Sequence, residues 1–194
     1  FLHLHARDPK DGRPTPDPTV FGAFLPQIAK ASDAVINITT GGGQKMSVSE
    51  RMAGALWAAP EMCSLNMGTM NFGLFPMADR PRTYQHDWEL PHLTGSRDFV
   101  FKNTFSDIDT ILDEMGAKRG ARFEFECYDT GHLYTLAHYL DRQRIEPPVF
   151  VQFVLGVLGG VGADADALYT LKQTADRLLG DRYRFSVAAA GRAQ

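Results

Sequence analysis

Cysteine is scarce in this chain, with only Cys63 and Cys127 among 194 residues. Each lies in an apolar run and no Cys-x-x-Cys spacing occurs, which excludes a thiolate metal cluster or a disulfide framework. The pattern predicts buried, reduced thiols in a cytoplasmic protein. Long Lys/Arg blocks are also lacking, and 20 basic against 23 acidic residues leave a formal charge of -3. Such a balance offers no electrostatic footprint for nucleic acid or a membrane surface, so small molecules are the expected partners. No apolar run reaches the roughly 20 residues of a membrane span, and no signal peptide is visible. Internal repeats and low-complexity tracts are missing. The glycines come without a Gly-x-Gly-x-x-Gly pattern or a Walker lysine, so they do not mark a nucleotide phosphate site.

What is present is ordinary for one globular domain: 44% hydrophobic and 22% charged residues, enough for a sizeable core. A single domain over 1–194 is expected. Strand-like and helix-like stretches alternate as in a parallel sheet built from βα units. The strand candidates are Phe1–His5, Ala34–Thr40, Glu61–Asn66, Arg122–Tyr128, Val149–Leu155 and Arg184–Ala189. Between them, Ser47 with Glu50 and Ser106 with Asp109 read as capping boxes that open helices. "GHLYTLAHYLDRQ" and "DADALYTLKQTADRLLG" carry helical spacing, the second stopping at Gly180. "DPTVFGAFLPQIAKAS" is helical in pattern, with a kink or break expected at Pro26. One long non-periodic stretch, 68–104, follows the third strand candidate, where active-site loops of parallel α/β folds lie.

The chemistry-bearing residues gather at strand ends. In "FLHLHARDP" a strand would turn His3 and His5 to one side and Leu4 to the other. Neutral imidazoles so placed suit a zinc ion, although a third ligand is not obvious, and a hydrogen-bonding role for both remains the alternative. The "TTGGG" segment, Thr39 to Gly43, is either an anion-cradling turn or a plain βα turn. Ser64 and Asn66 share a strand face, as do Glu124 and Glu126. Buried carboxylates are costly unless paired, so the two acids face a polar pocket or a basic group, or one of them pairs with Arg122 or Arg7. His132 and His138 read as packing or surface residues.

Six motifs in order, "HLHARDP", "INITTGGG", "CSLNMGTMNFG", "FEFECYDTGH", "FVQFVLGVLGGVGA" and "SVAAAGRAQ", resemble the β-keto acid cleavage enzymes. The resemblance covers essentially the whole chain. It implies a (β/α)8 TIM barrel of which the six strand candidates would be strands two to seven, with the first and last lying outside this sequence. It also implies a divalent metal, usually zinc, and acetyl transfer from β-keto acid cleavage to acetyl-CoA, giving acetoacetate and a new CoA thioester. His3 and His5 would be two metal ligands, and Thr40 and Gly41 would receive the substrate carboxylate. Ser64 and Asn66 would line the pocket, and Glu126 would meet the variable end of the substrate. The third ligand and the general base would come from the last barrel strand, so no catalytic base is assigned here. The family also implies a homotetramer. Rival readings are a TIM-barrel metallohydrolase, which needs further His, Lys or Asp ligands on later strands, and a metal-binding protein without activity.

Overall fold

The computed structural model describes residues 1–191. Along the chain run β1 (Leu2–Leu4), α1 (Pro18–Ala31), β2 (Ile36–Thr39), α2 (Val48–Ala58), β3 (Met62–Asn66), β4 (Met70–Asn71), α3 (Glu89–Gly95), β5 (Val100–Phe101), α4 (Phe105–Ile111), β6 (Arg122–Cys127), α5 (Thr130–Asp141), β7 (Val149–Leu155), α6 (Ala165–Leu179) and β8 (Tyr183–Ala189). All six strand candidates are strands, with ends shifted by a residue or two, as expected where ladders fray. They form one sheet in the order β1-β2-β3-β6-β7-β8. The fold is mixed α/β.

The chain divides into two compact units, Phe1–Leu65 with Phe105–Glu124, and Asn66–Thr104 with Phe125 onward. In the first unit β1 pairs in parallel with β2, setting His3 opposite Asn37, and β2 with β3, setting Thr39 opposite Ser64. Parallel neighbours need a covering crossover, and α1 and α2 supply it. Asp17 caps α1 by accepting from the Thr19 N–H, with Pro18 in the first turn. Ser47 and Glu50 form the expected capping box on α2. Helix α1 does not break at Pro26; the proline forfeits a single ladder bond, while Phe21, almost fully buried, anchors the helix against α2.

That anchor fixes the sign of one substitution. Glycine inside a helix normally costs about 1 kcal/mol relative to alanine. At Gly54, however, a Cβ would stand 2.3 Å from Phe21 Cε2 and 2.5 Å from Cδ2. Gly54→Ala is therefore expected to destabilise the protein by ~1–3 kcal/mol, the range for overpacking. Denaturant unfolding would show a lowered midpoint, and a raised midpoint would show that α1 can move away.

The second capping box differs from expectation. Helix α4 starts at Phe105, so Ser106 lies inside it and cannot serve as its N-cap; the helix then continues as a π-helical turn over Leu112–Ala117. Ile108, Ile111, Leu112 and Met115 are buried there. The stretch 68–104 is not featureless either. It holds the antiparallel pair β4–β5, in the register Met70↔Phe101 and Asn71↔Val100, and helix α3.

In the second unit β7 and β8 pair in parallel over seven positions. Asp129 caps α5 and Asp164 caps α6, each accepting from a backbone N–H three residues on. α6 stops at Gly180, whose φ of 61° suits a residue without a Cβ. Leu133, Leu136, Leu171 and Leu179 are buried between these helices and the strands, with Val151 and Phe153. Cys63 and Cys127 are buried free thiols; burial pushes the Cys63 thiol up to about 12 and Cys127 well above its ordinary value, where acidic neighbours add to the effect. Among the described residues no helix is long and apolar enough to cross a membrane.

Candidate functional site

Strand β1 pairs with β2 over three positions, and its polar face carries the first element of the site. His3 lies on that face and His5 just beyond the strand. Their rings stack with centroids 5.0 Å apart and planes 4° apart, so the alternation places both imidazoles on one side.

Opposite His3, Asn37 stands at the middle of β2 and is fully buried, as is Glu124 on β6. One carboxylate oxygen, Glu124 Oε2, accepts from His3 Nδ1 at 2.8 Å and from Asn37 Nδ2 at 2.7 Å. This answers what pairs the buried acid: an imidazole and a carboxamide. A carboxylate cannot donate, so the ring proton of His3 sits on Nδ1 and the lone pair on Nε2. That arrangement is how a metal-ligating histidine is commonly oriented, with a carboxylate behind it.

The residues fit a metal on two further counts. Asn37 Oδ1 is buried without a hydrogen-bond partner among the described residues, a polar atom that a cation's ligand shell would satisfy. His5 is held neutral: desolvation, then the charge of His3, then that of Arg7 lower its pKa from 6.5 to about 4, although part of the residue remains exposed. Its lone pair is thus not lost to protonation near neutral pH. Among the described residues, a group able to hold a metal is built on His3 and Glu124, with Glu126 the next carboxylate on that face of β6.

The "TTGGG" turn follows β2. Thr40 is buried and its hydroxyl donates to the Ser64 carbonyl at 2.7 Å. The Gly41 N–H donates to Thr39 Oγ1 at 2.9 Å. An arriving carboxylate would take that N–H from a neutral hydroxyl. Arg51 on α2, also buried, lies against the turn, since a Cβ on Gly42 would come 2.6 Å from Arg51 Cγ. Burial lowers the Arg51 pKa and nearby Asp107 opposes the shift; an arginine stays charged all the same, so a guanidinium charge lies beside the turn.

In the second unit, Asn66 ends β3 with its side-chain oxygen accepting from the Gly68 N–H at 3.2 Å and its backbone carbonyl from Asn103 Nδ2 at 2.8 Å. Glu126 accepts from the Tyr128 hydroxyl at 2.9 Å, and its backbone carbonyl from the Met67 N–H at 3.1 Å. His132 is a packing residue, buried against Gly68.

Sequence reasoning missed Asn37, Arg51, Asn103 and Tyr128. A carboxamide amid the apolar residues of "AVINITT" was a readable signal. Arg51 and Asn103 sit in helical and irregular segments where polar residues are routine, and nothing local marks them.

Every motif above lies within a single match: residues 1–194 match the family model described as beta-keto acid cleavage enzyme. The chain belongs to that family. It is 57% identical over 194 residues to a 3,5-dioxohexanoate:acetyl-CoA acetone transferase of Paraburkholderia graminis, covering 100% of this chain and 62% of the relative. It is 30% identical over 194 residues to a 3-keto-5-aminohexanoate cleavage enzyme of Acetoanaerobium sticklandii, covering 100% and 60%. A 3-dehydrocarnitine:acetyl-CoA trimethylamine transferase of Rhizobium meliloti is 27% identical over 190 residues, covering 88% and 56%. The chain thus spans about 60% of the length of these relatives. Among solved structures, the apo structure of ObcA aligns with a TM-score of 0.67 at 19% identity, covering 96% of this chain and 46% of that one, a likeness of fold.

Proposed function

We propose that the complete protein is a metal-dependent acyltransferase that condenses a β-keto acid with acetyl-CoA, yielding acetoacetate and a CoA thioester. The observation that carries this reading is the Glu124-backed His3 within a chain that matches the family from end to end. On this reading the sheet is part of a (β/α)8 barrel in one domain, the metal is zinc, and the assembly is a cytoplasmic homotetramer.

His3 Nε2 and His5 would hold the metal. When bound, a divalent ion supplies Lewis-acid stabilisation of negative charge developing on a carbonyl oxygen, an effect of several kcal/mol. The residues of this chain do the rest. The Thr40–Gly41 turn, backed by Arg51, binds the substrate carboxylate and fixes the acid's orientation, which converts a two-body encounter into a positioned one. Ser64 and Asn66 line the pocket, and Glu126 meets the distal end of the acyl chain. The metallohydrolase reading loses support because the later strand ends carry Thr, Asn and Glu in place of the extra ligands it needs. The names of the relatives, all acetyl-CoA transferases or cleavage enzymes, count against a metal-binding protein without activity.

A coupled assay for acetoacetate, with acetyl-CoA, added zinc and β-keto acids bearing cationic, neutral and anionic distal ends, tests this directly. Acetyl-CoA-dependent acetoacetate from at least one acid is expected, lost on chelation. Hydrolysis of the acids without acetyl-CoA, or no turnover of any, would overturn the proposal.

A further inference from the structure

Tyr128 lies immediately after β6 and is 8% exposed, in a cluster with Met70 and Val154 flanked by Phe72, Phe101 and Val157. A tyrosine so buried needs a partner for its hydroxyl, and the partner is a carboxylate oxygen: the phenol donates to Glu126 Oε2 at 2.9 Å. Everything else about Tyr128 prevents it from leaving. Its backbone N–H donates to His132 Nδ1 at 3.1 Å and its carbonyl accepts from the Val161 N–H at 2.8 Å. Its ring meets Phe72 at 6.1 Å and His132 at 6.1 Å, both edge to face. Gly160 passes so close that a Cβ there would stand 2.6 Å from the Tyr128 carbonyl oxygen.

His132 is a well-defined acceptor in this clamp. Burial outweighs the nearby Asp129 charge and lowers its pKa, so Nδ1 keeps its lone pair for the Tyr128 N–H. The phenol is therefore a fixed donor, and the carboxylate, two residues earlier at the end of β6, is the group that must adapt to it.

We infer that Tyr128 is a specificity-positioning residue: its hydroxyl sets the rotation of the Glu126 carboxylate and so selects β-keto acids whose distal end donates a directed hydrogen bond, such as the enol of a distal 1,3-dicarbonyl. The inference rests on the reading in which Glu126 meets the distal end of the substrate. One oxygen is oriented by the phenol, which aims the second in a single direction and spreads part of the negative charge onto the tyrosine. A directed, weakly polar donor depends on that aim. A distal ammonium depends on it less, because Coulomb attraction to a carboxylate varies slowly with its rotation.

The test is Tyr128→Phe in the complete, metal-loaded protein, assayed with two β-keto acids matched in length, one whose distal end is a 1,3-dicarbonyl that presents an enol hydroxyl and one with a distal ammonium. The kcat/KM ratio of enol-presenting to ammonium substrate is expected to fall about tenfold, the scale of one charge-assisted hydrogen bond, while metal content and the KM for acetyl-CoA stay unchanged. Once Glu126 is already Gln, Tyr128→Phe should no longer move the ratio. Glu126→Asp, which withdraws the carboxylate from the phenol by one methylene without disturbing the Tyr128 packing, should move it in the same direction, and this arm stands even if the phenylalanine variant fails to fold. An unchanged ratio in variants that still turn over substrate overturns the role of Tyr128 alone. Absence of turnover of both acids by the unmodified protein overturns the functional reading, and this inference with it.

Discussion

His3→Ala is expected to release the metal from the complete protein. Loss of a proposed ligand should weaken retention by more than the 10–100-fold typical of removing an outer-shell partner, because His3 is the imidazole already oriented by a hydrogen bond to Glu124 and by stacking on His5. Glu124 fixes its tautomer and ring plane, and His5 stacks on it at 5.0 Å. The alanine side chain would also leave the buried Glu124 carboxylate without the His3 donor, so a modest loss of stability should accompany the loss of metal. Metal analysis after dialysis against a weak chelator measures the first, and thermal unfolding with and without zinc the second. Unmodified protein should unfold at a higher temperature when zinc is added, since a ligand that binds only the folded state stabilises it. The His3→Ala variant should show no such rise. Full metal occupancy in the variant would remove His3 from the ligand set.

A second large effect is expected at Glu124, where two substitutions separate charge from hydrogen bonding. Glu124→Gln keeps an oxygen able to accept from both His3 Nδ1 and Asn37 Nδ2, but removes the negative charge that raises the basicity of the ring. Metal affinity is then expected to fall ~10–100-fold with little change in stability. Glu124→Ala leaves the buried Asn37 Nδ2 unsatisfied, at about 1–3 kcal/mol, and the half-buried His3 Nδ1 without this acceptor, and should lower stability as well as affinity. Competition with a chromophoric chelator gives the affinity, and urea unfolding of the metal-free proteins gives the stability. Equal affinity in Glu124→Gln and the unmodified protein would mean that Glu124 is a structural acid, present to satisfy Asn37.

Much of the architecture was legible in the sequence because it is set locally. Strand-like stretches alternating with helix-like ones marked all six strands of the sheet, Ser47 and Glu50 marked the start of α2, and Gly180 marked the end of α6. The errors were local as well. Ser106 resembles an N-cap, yet Ile108, Ile111 and Met115 reach the core with the helix beginning at Phe105, and burial of that apolar face outweighs one cap. Pro26 predicts a kink or a break, and α1 runs unbroken through it from Pro18 to Ala31.

By itself the sequence determined which side chains share a face: His3 with His5, Ser64 with Asn66, Glu124 with Glu126. A strand alternates its faces whatever it packs against, so these groupings follow from spacing alone, while the resemblance to the family rested on six motifs in order. Only the tertiary structure decided who meets whom. Glu124 finds His3 across 121 residues of chain, and Asn37 joins them because the β1–β2 register sets it opposite His3. Register between parallel strands is fixed by the crossover helices and the packing beneath them. No local pattern encodes it, which is why the carboxylate behind the histidine and the arginine behind the glycine turn emerge only once the chain is folded.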